Sequence, residues 1–273
     1  MRTYWILTIV SALLLFSCEE VIELDLDNAD PEIVIEGTLT DQAGPYTVKL
    51  SESVGFYDDN VFPAVSGAVV RISDDNGYAN LLEEVEPGIY QTSDLQGQRG
   101  STYRLEVEAN GAFYTAVSEM PELAVPIDSI SFRYEEESLF YKEGYYFRAY
   151  FTDPEGLGDY YRFTVLVNGE VYVFDFDGDL IEDDNLWLAD DKYTDGNSQD
   201  YDFPHTLKPG DVVSLQLHHL NEDTFDYYRT LVDVIDGGGV APSNPLSNFG
   251  DTALGYFGAF SVTEMERTVV PTN

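Results

Sequence analysis

Residues 102–119 read TYRLEVEANGAFYTAVSE. Tyr103, Leu105 and Val107 alternate with Arg104, Glu106 and Glu108; Asn110-Gly111 intervenes; Phe113, Thr115 and Val117 resume the alternation. A period of two puts successive side chains on opposite faces, as in a strand, and Asn-Gly accepts the positive φ angles of a two-residue turn. The stretch therefore predicts a β-hairpin, and its surroundings repeat the pattern. Upstream, Ile33, Ile35 and Leu39 form one run, and Tyr46, Val48 and Leu50 follow the turn residues Gly44-Pro45. Ala68, Val70 and Ile72 lead into Asp74-Asp75-Asn76-Gly77, and Pro87-Gly88 marks a further turn. About seven short strands with turns every ~8–12 residues predict a β-sandwich of immunoglobulin or transthyretin type.

Met120-Pro121 through Val125-Pro126 reads as a proline-stiffened linker. Beyond it the strands are aromatic. Tyr145, Phe147, Ala149 and Phe151 share a face, and Tyr161, Phe163, Val165 and Val167 run into a second Asn-Gly turn at 168–169, with Val171 and Val173 returning. A long acidic loop is predicted over 175–203. Val213, Leu215 and Leu217 resume a strand, Leu254–Val262 reads as the last long one, and Met265–Val270 as a further short one. One helix is predicted over 221–236, where Phe225, Tyr228, Val232 and Ile235 recur at helical spacing. Asn221 can cap it, Glu222 and Asp223 suit its positive end, and Gly237 can stop it. The expectation is an all-β chain of two β-sandwich-like domains, 18–124 and 125–273, with one α-helix near the C-terminus.

The first seventeen residues differ in kind. Tyr4–Ser17 carries no charge, too short a run for a membrane span of ~20 apolar residues but suited to a secretory signal. The run stops at Cys18, the single cysteine of the chain. Leu15-Phe16-Ser17-Cys18 resembles a bacterial lipobox, which implies a signal peptide over 1–17, cleavage before Cys18 and acylation of that residue. Several acyl chains anchor a protein firmly where one would not. Glu19-Glu20 resembles the surface-export signal of Bacteroidota lipoproteins, implying an outer-membrane position facing the exterior. Ile22, Leu24 and Leu26 then alternate with Glu23, Asp25 and Asp27, predicting a strand close behind the anchor.

Thirteen basic residues face 51 acidic ones, a net charge of −38, which argues against nucleic acid as a partner. Histidines number three, with His218-His219 adjacent in a predicted strand and so on opposite faces, unable to grip one metal together. With no second cysteine and no Gly-x-Ser-x-Gly motif, no catalytic residues are assigned and no enzyme is expected. The acids are the one chemical concentration. Asp175, Asp177, Asp179 and Asp183 offer hard oxygen ligands that suit Ca²⁺, although counted from Asp175 the sixth position is not Gly and the twelfth is Leu186, so the EF-hand pattern fails. No other cofactor is expected. Loop aromatics that could meet a ligand or partner are Phe56, Tyr57, Phe62, Trp187, Tyr193 and Tyr201.

Taken together, CEEVIELDLDNADPEIVIEGTLTDQAGPYTVKLSES, PAVSGAVVRISDDNG, GSTYRLEV, MPELAVPIDSI, DFPHTLKPGDVVSLQLHHLNEDTFDYYRTL and NPLSNFGDTALGYFGAFSV resemble the Bacteroidota lipoproteins classed as domain-of-unknown-function family 4249. The acidic 175–202 stretch departs from that pattern. The resemblance implies a cell-envelope lipoprotein, often beside a TonB-dependent transporter. The function expected is therefore a binding or accessory subunit of a nutrient-uptake system, the alternative being a structural or adhesive envelope module with calcium-stabilised acidic loops.

Overall fold

The computed structural model describes residues 30–55, 61–139, 141–172, 175–176, 179–180, 186–235 and 244–271. It is all-β, with sandwich-like sheets and one α-helix among the described residues. The first half holds β1 (Ile33–Thr40), β2 (Thr47–Glu52), β3 (Val69–Asp74), β4 (Ala79–Leu81), β5 (Glu83–Glu86), β6 (Ile89–Gln91), β7 (Thr102–Ala109) and β8 (Ala112–Glu119). The second holds β9 (Ile127–Glu135), β10 (Gly144–Thr152), β11 (Tyr160–Val167), β12 (Glu170–Val171), β13 (Asp175–Phe176), β14 (Asp179–Leu180), β15 (Trp187–Asp190), β16 (Ser198–Leu207), β17 (Val212–Leu220), α1 (Glu222–Ile235) and β18 (Leu254–Thr268).

The 102–119 hairpin is β7–β8, and both turn residues have positive φ, 53° at Asn110 and 77° at Gly111. The register sets Leu105 opposite Ala116 and Val107 opposite Tyr114. Directly opposed residues share a face, so Tyr114, Ala116 and Ser118 turn toward the core, and Phe113, 61% exposed, and Val117 face outward. The sheet β4-β3-β7-β8 covers the β5-β6-β2-β1-β18 part of a second sheet, with Ile35, Leu50, Ile72, Tyr90, Leu105 and Phe257 buried between them. The other sandwich sets β16-β10-β9 against β12-β11-β17-β18, with β15 paired to β11. Its core is aromatic: Phe147 and Phe203 stack at 4.7 Å between centroids, and Phe151 and Phe163 pack beside them.

β18 serves both sandwiches. Its first half pairs in parallel with β1, from Leu254 opposite Val34 to Phe260 opposite Thr40; its second pairs antiparallel with β17, from Ser261 opposite His219 to Thr268 opposite Val212. The two strands expected over 254–270 are thus one, and the region expected over 125–273 lends its last strand to the first core. Gly255 makes the join: its φ is +88°, and a Cβ there would stand 2.2 Å from the Ile35 carbonyl oxygen. Along β18, Phe257 and Ala259 point into the first core, and Met265 packs against the second. Tyr256, Phe260 and Val262 point outward, where α1 covers them.

The helix forms as expected from Asn221, whose Oδ1 accepts the Thr224 N–H at 2.8 Å. Its inward face is Thr224, Phe225 and Tyr228, with Tyr227 and Leu231 partly buried; Val232 is only partly buried. The anticipated stop at Gly237 lies outside the described residues. The 175–203 stretch is not one loop. β15 and most of β16 lie in it, because Tyr201 and Phe203 alternate with acids that point to solvent, where Asp202 takes hydrogen bonds from Arg133 and Arg148.

Candidate functional site

The two sandwiches meet along residues 120–126, and the segment is stitched down rather than free. Met120 belongs to one core and Val125 to the other. The Leu123 carbonyl accepts from Ser261 Oγ at 2.7 Å and from His219 Nδ1 at 3.0 Å, and the Val125 carbonyl accepts from Thr263 Oγ1 at 2.6 Å. Asn221 adds a tie from the helix start, donating to Ser118 Oγ and the Glu119 carbonyl, while Ser118 Oγ accepts the Ala259 N–H.

A cleft of about 390 Å³ opens at this seam, lined by Glu119, Glu122, Leu123, Asp159, Tyr160 and His219, among others. His219 is 4% exposed, and its Nε2 lies 2.8 Å from Asp159 Oδ1. A carbonyl can only accept, so Nδ1 carries a hydrogen toward Leu123, and Nε2 faces the Asp159 carboxyl. Burial pushes the Asp159 carboxyl up from the usual carboxylate range; the His219 ring opposes this, and Asp153 and Asp191 reinforce it.

Behind the cleft, two turns exchange hydrogen bonds through three carboxylates. Asp153 Oδ2 accepts the Gly196 N–H at 2.9 Å, Asp195 Oδ1 accepts the Gly156 N–H at 2.7 Å, and Asp191 Oδ2 accepts the Gly158 N–H at 2.8 Å. Asp153 Oδ1 also accepts the Tyr161 hydroxyl at 2.5 Å. Burial, then that bond, pushes the Tyr161 hydroxyl far upward. Asp153 and Asp191 are 2% and 3% exposed, and no ion pair to either is formed among the described residues. One oxygen from each of Asp153, Asp191 and Asp195 lies within 4.8 Å of the others. Two oxygens on one Ca²⁺ at ~2.3–2.6 Å stand at most about 5 Å apart, so the trio has the dimensions of a hard-cation site.

The anticipated candidates fall elsewhere. Cys18, Phe56, Tyr57, Asp177 and Asp183 lie outside the described residues, and Asp175 and Asp179 have backbone positions in the two-residue pairing of β13 with β14. Trp187 and Tyr201, expected as exposed loop aromatics, are corrected to partly buried residues packed on the second core, Trp187 at 5.6 Å from Phe203 and Tyr201 at 5.1 Å from Phe163. Inward positions of β15 and β16 hold them there. Tyr193 is 87% exposed beside Lys192, and Phe62 is also exposed. His218 and His219 do face opposite ways: His218 stacks on Phe260 under α1, and burial, then Arg162, pushes it down to about 3. Sequence reasoning missed Asp153. Its signal was the strand period, since Phe151 faces inward and the residue two further on must also do so.

Among the described residues no helix is long and apolar enough to cross a membrane. A comparison with curated proteins found no match. The family model described as Domain of unknown function (DUF4249) matches residues 19–266, nearly the whole chain, and the chain belongs to that family.

Proposed function

We propose that the chain is a non-catalytic binding module of the cell envelope, held by acyl chains on Cys18 at the outer membrane and facing the exterior. There it serves as an accessory subunit of a nutrient-uptake system beside a TonB-dependent transporter. The seam cleft carries the binding part of this reading. It is concave, lined by apolar side chains with a few acids and His219, and set between two sandwiches that a shared strand holds in fixed relation, the kind of place where ligands are held. His219 spends both ring nitrogens on Leu123 and Asp159, which favours holding a ligand over moving its protons. The anchor rests on the apolar run ending at Cys18. Membrane fractionation tests it: the parent chain should sediment with membranes and Cys18→Ala should not, and equal sedimentation of the two would overturn the anchor.

A second reading, a calcium-stiffened structural or adhesive module, is favoured by Asp153, Asp191 and Asp195, a carboxylate trio separate from the 175–183 acids. A cation bound only by the folded chain at about 100 times its Kd stabilises by ~2.7 kcal/mol. At roughly 2–4 °C per kcal/mol for a chain of this size, calcium should raise the melting temperature by about 5–10 °C over chelator. Asp191→Asn should abolish most of that rise; an equal rise in parent and variant would remove the trio from the account.

A further inference from the structure

α1 does not close completely on the strands beneath it. A cavity of about 420 Å³ lies between the helix and the outer faces of β1, β11 and β18, with Tyr227, Tyr228, Leu231 and Tyr256 in its walls and Glu36 and Arg162 as its charged members among the described residues. Among the described residues it shares no lining residue with the seam cleft.

Arg162 is the unusual occupant. It is partly buried, its Nε is out of contact with water, and that nitrogen has no hydrogen-bond partner. The guanidinium carbon sits 4.5 Å from the centre of the Tyr228 ring, which is attractive but does not neutralise it. The other partly buried arginines, Arg133 and Arg148, are both bonded to Asp202. Arg162 forms no ion pair among the described residues, in a chain with 51 acids against 13 bases. The acid in the cavity wall and the residue facing Arg162 across the strands do not supply one. Glu36 is paired with Lys49 at 3.4 Å, and His218, across from Arg162 in the strand register, is neutral. A partly desolvated cation without an anion is costly, and a planar guanidinium with its fork free matches a carboxylate.

We propose that this cavity binds a small carboxylic acid with an aromatic or short aliphatic body, the carboxylate on Arg162 and the body against Tyr228, Tyr256 and Leu231. One guanidinium supplies one positive charge, and Glu36 on the same wall repels a second negative one, so a monoanion is preferred to phosphate. The aromatic and leucine walls suit an apolar body. The site is separate from the seam cleft and does not depend on what that cleft holds.

Calorimetric titration of the purified full chain tests this, with benzoate and hexanoate as probes, their neutral amides as matched controls and inorganic phosphate as the competing anion. The acids should bind at least tenfold more tightly than their amides. Arg162→Gln should erase that preference while leaving amide binding in place, and Leu231→Trp, which fills the cavity and keeps the arginine, should abolish binding of both. If Arg162→Gln does not fold, Arg162→Lys serves instead and should lose part of the preference, because it keeps the charge and loses the fork. Absence of binding by both acids, acid and amide binding equally, phosphate binding as tightly as benzoate, or a parent-like response from the arginine variant would each overturn the proposal.

Discussion

Replacing Phe257 by alanine should destabilise a sandwich in which the ring does not lie. Phe257 is 0% exposed in the first core, on the half of β18 that pairs with β1. Removing a fully buried phenyl ring costs about 3–5 kcal/mol, covering lost transfer energy and the cavity left behind. For a chain of this size the urea dependence is near the top of its usual range, about 3 kcal/mol per molar, so the midpoint should fall by about 1–1.7 M. Trp187 is the only tryptophan after Cys18, and it packs on the second core against Phe203. Its emission therefore reports the sandwich that the substitution does not touch. If β18 welds the two cores into one cooperative unit, the tryptophan transition and the far-ultraviolet circular dichroism should move together by that amount. A tryptophan midpoint unchanged to within about 0.2 M, beside a dichroism curve split in two, would refute the coupling.

Three further outcomes follow from single positions. Gly255→Ala should destabilise by more than the ~1–2 kcal/mol of a left-handed residue alone, because its Cβ would also meet the Ile35 carbonyl; a urea midpoint equal to the parent's would contradict the geometry. Asn221→Ala should cost at least the ~1–2 kcal/mol of a helix cap, since Asn221 also ties β8 to the helix, and a loss below 0.5 kcal/mol (about) would mean those bonds carry little. His218 has a folded-state pKa of about 3 against 6.5 when exposed, so the unfolded chain takes up a proton that the folded chain does not. Its contribution is full above pH 6.5 and is lost as pH falls toward 3, by up to ~1.4 kcal/mol per unit. His218→Phe keeps the stacking on Phe260 and should lessen the decline between pH 6.5 and 4.5, as read from urea midpoints; identical slopes would contradict the assignment.

Local pattern made much of this fold readable. Asn-Gly at 110–111 and 168–169 fell where both residues take positive φ, and Tyr145, Phe147, Ala149 and Phe151 were buried together as period two places them, although Tyr146 at the alternate position is buried as well. Partners were not readable. Nothing in Leu254–Thr268 says that its first half will lie beside β1, more than 200 residues earlier, since alternation fixes a strand's faces and not its neighbours. The 175–203 stretch misled for another reason: its acids on the outer face hid the inward alternation that buries Phe203 in the core and packs Tyr201 against it. At the seam, the opposed faces of His218 and His219 followed from strand geometry. The bond from His219 to Leu123, 96 residues away, followed only from the meeting of the two sandwiches.

The proposed role is tested most directly by quantitative mass spectrometry of what co-purifies with the C-terminally tagged chain from gently solubilised outer membranes. A TonB-dependent transporter should be recovered at close to one copy per copy of the chain. Recovery of the chain without any such transporter, under conditions in which other transporter complexes stay together, would contradict it.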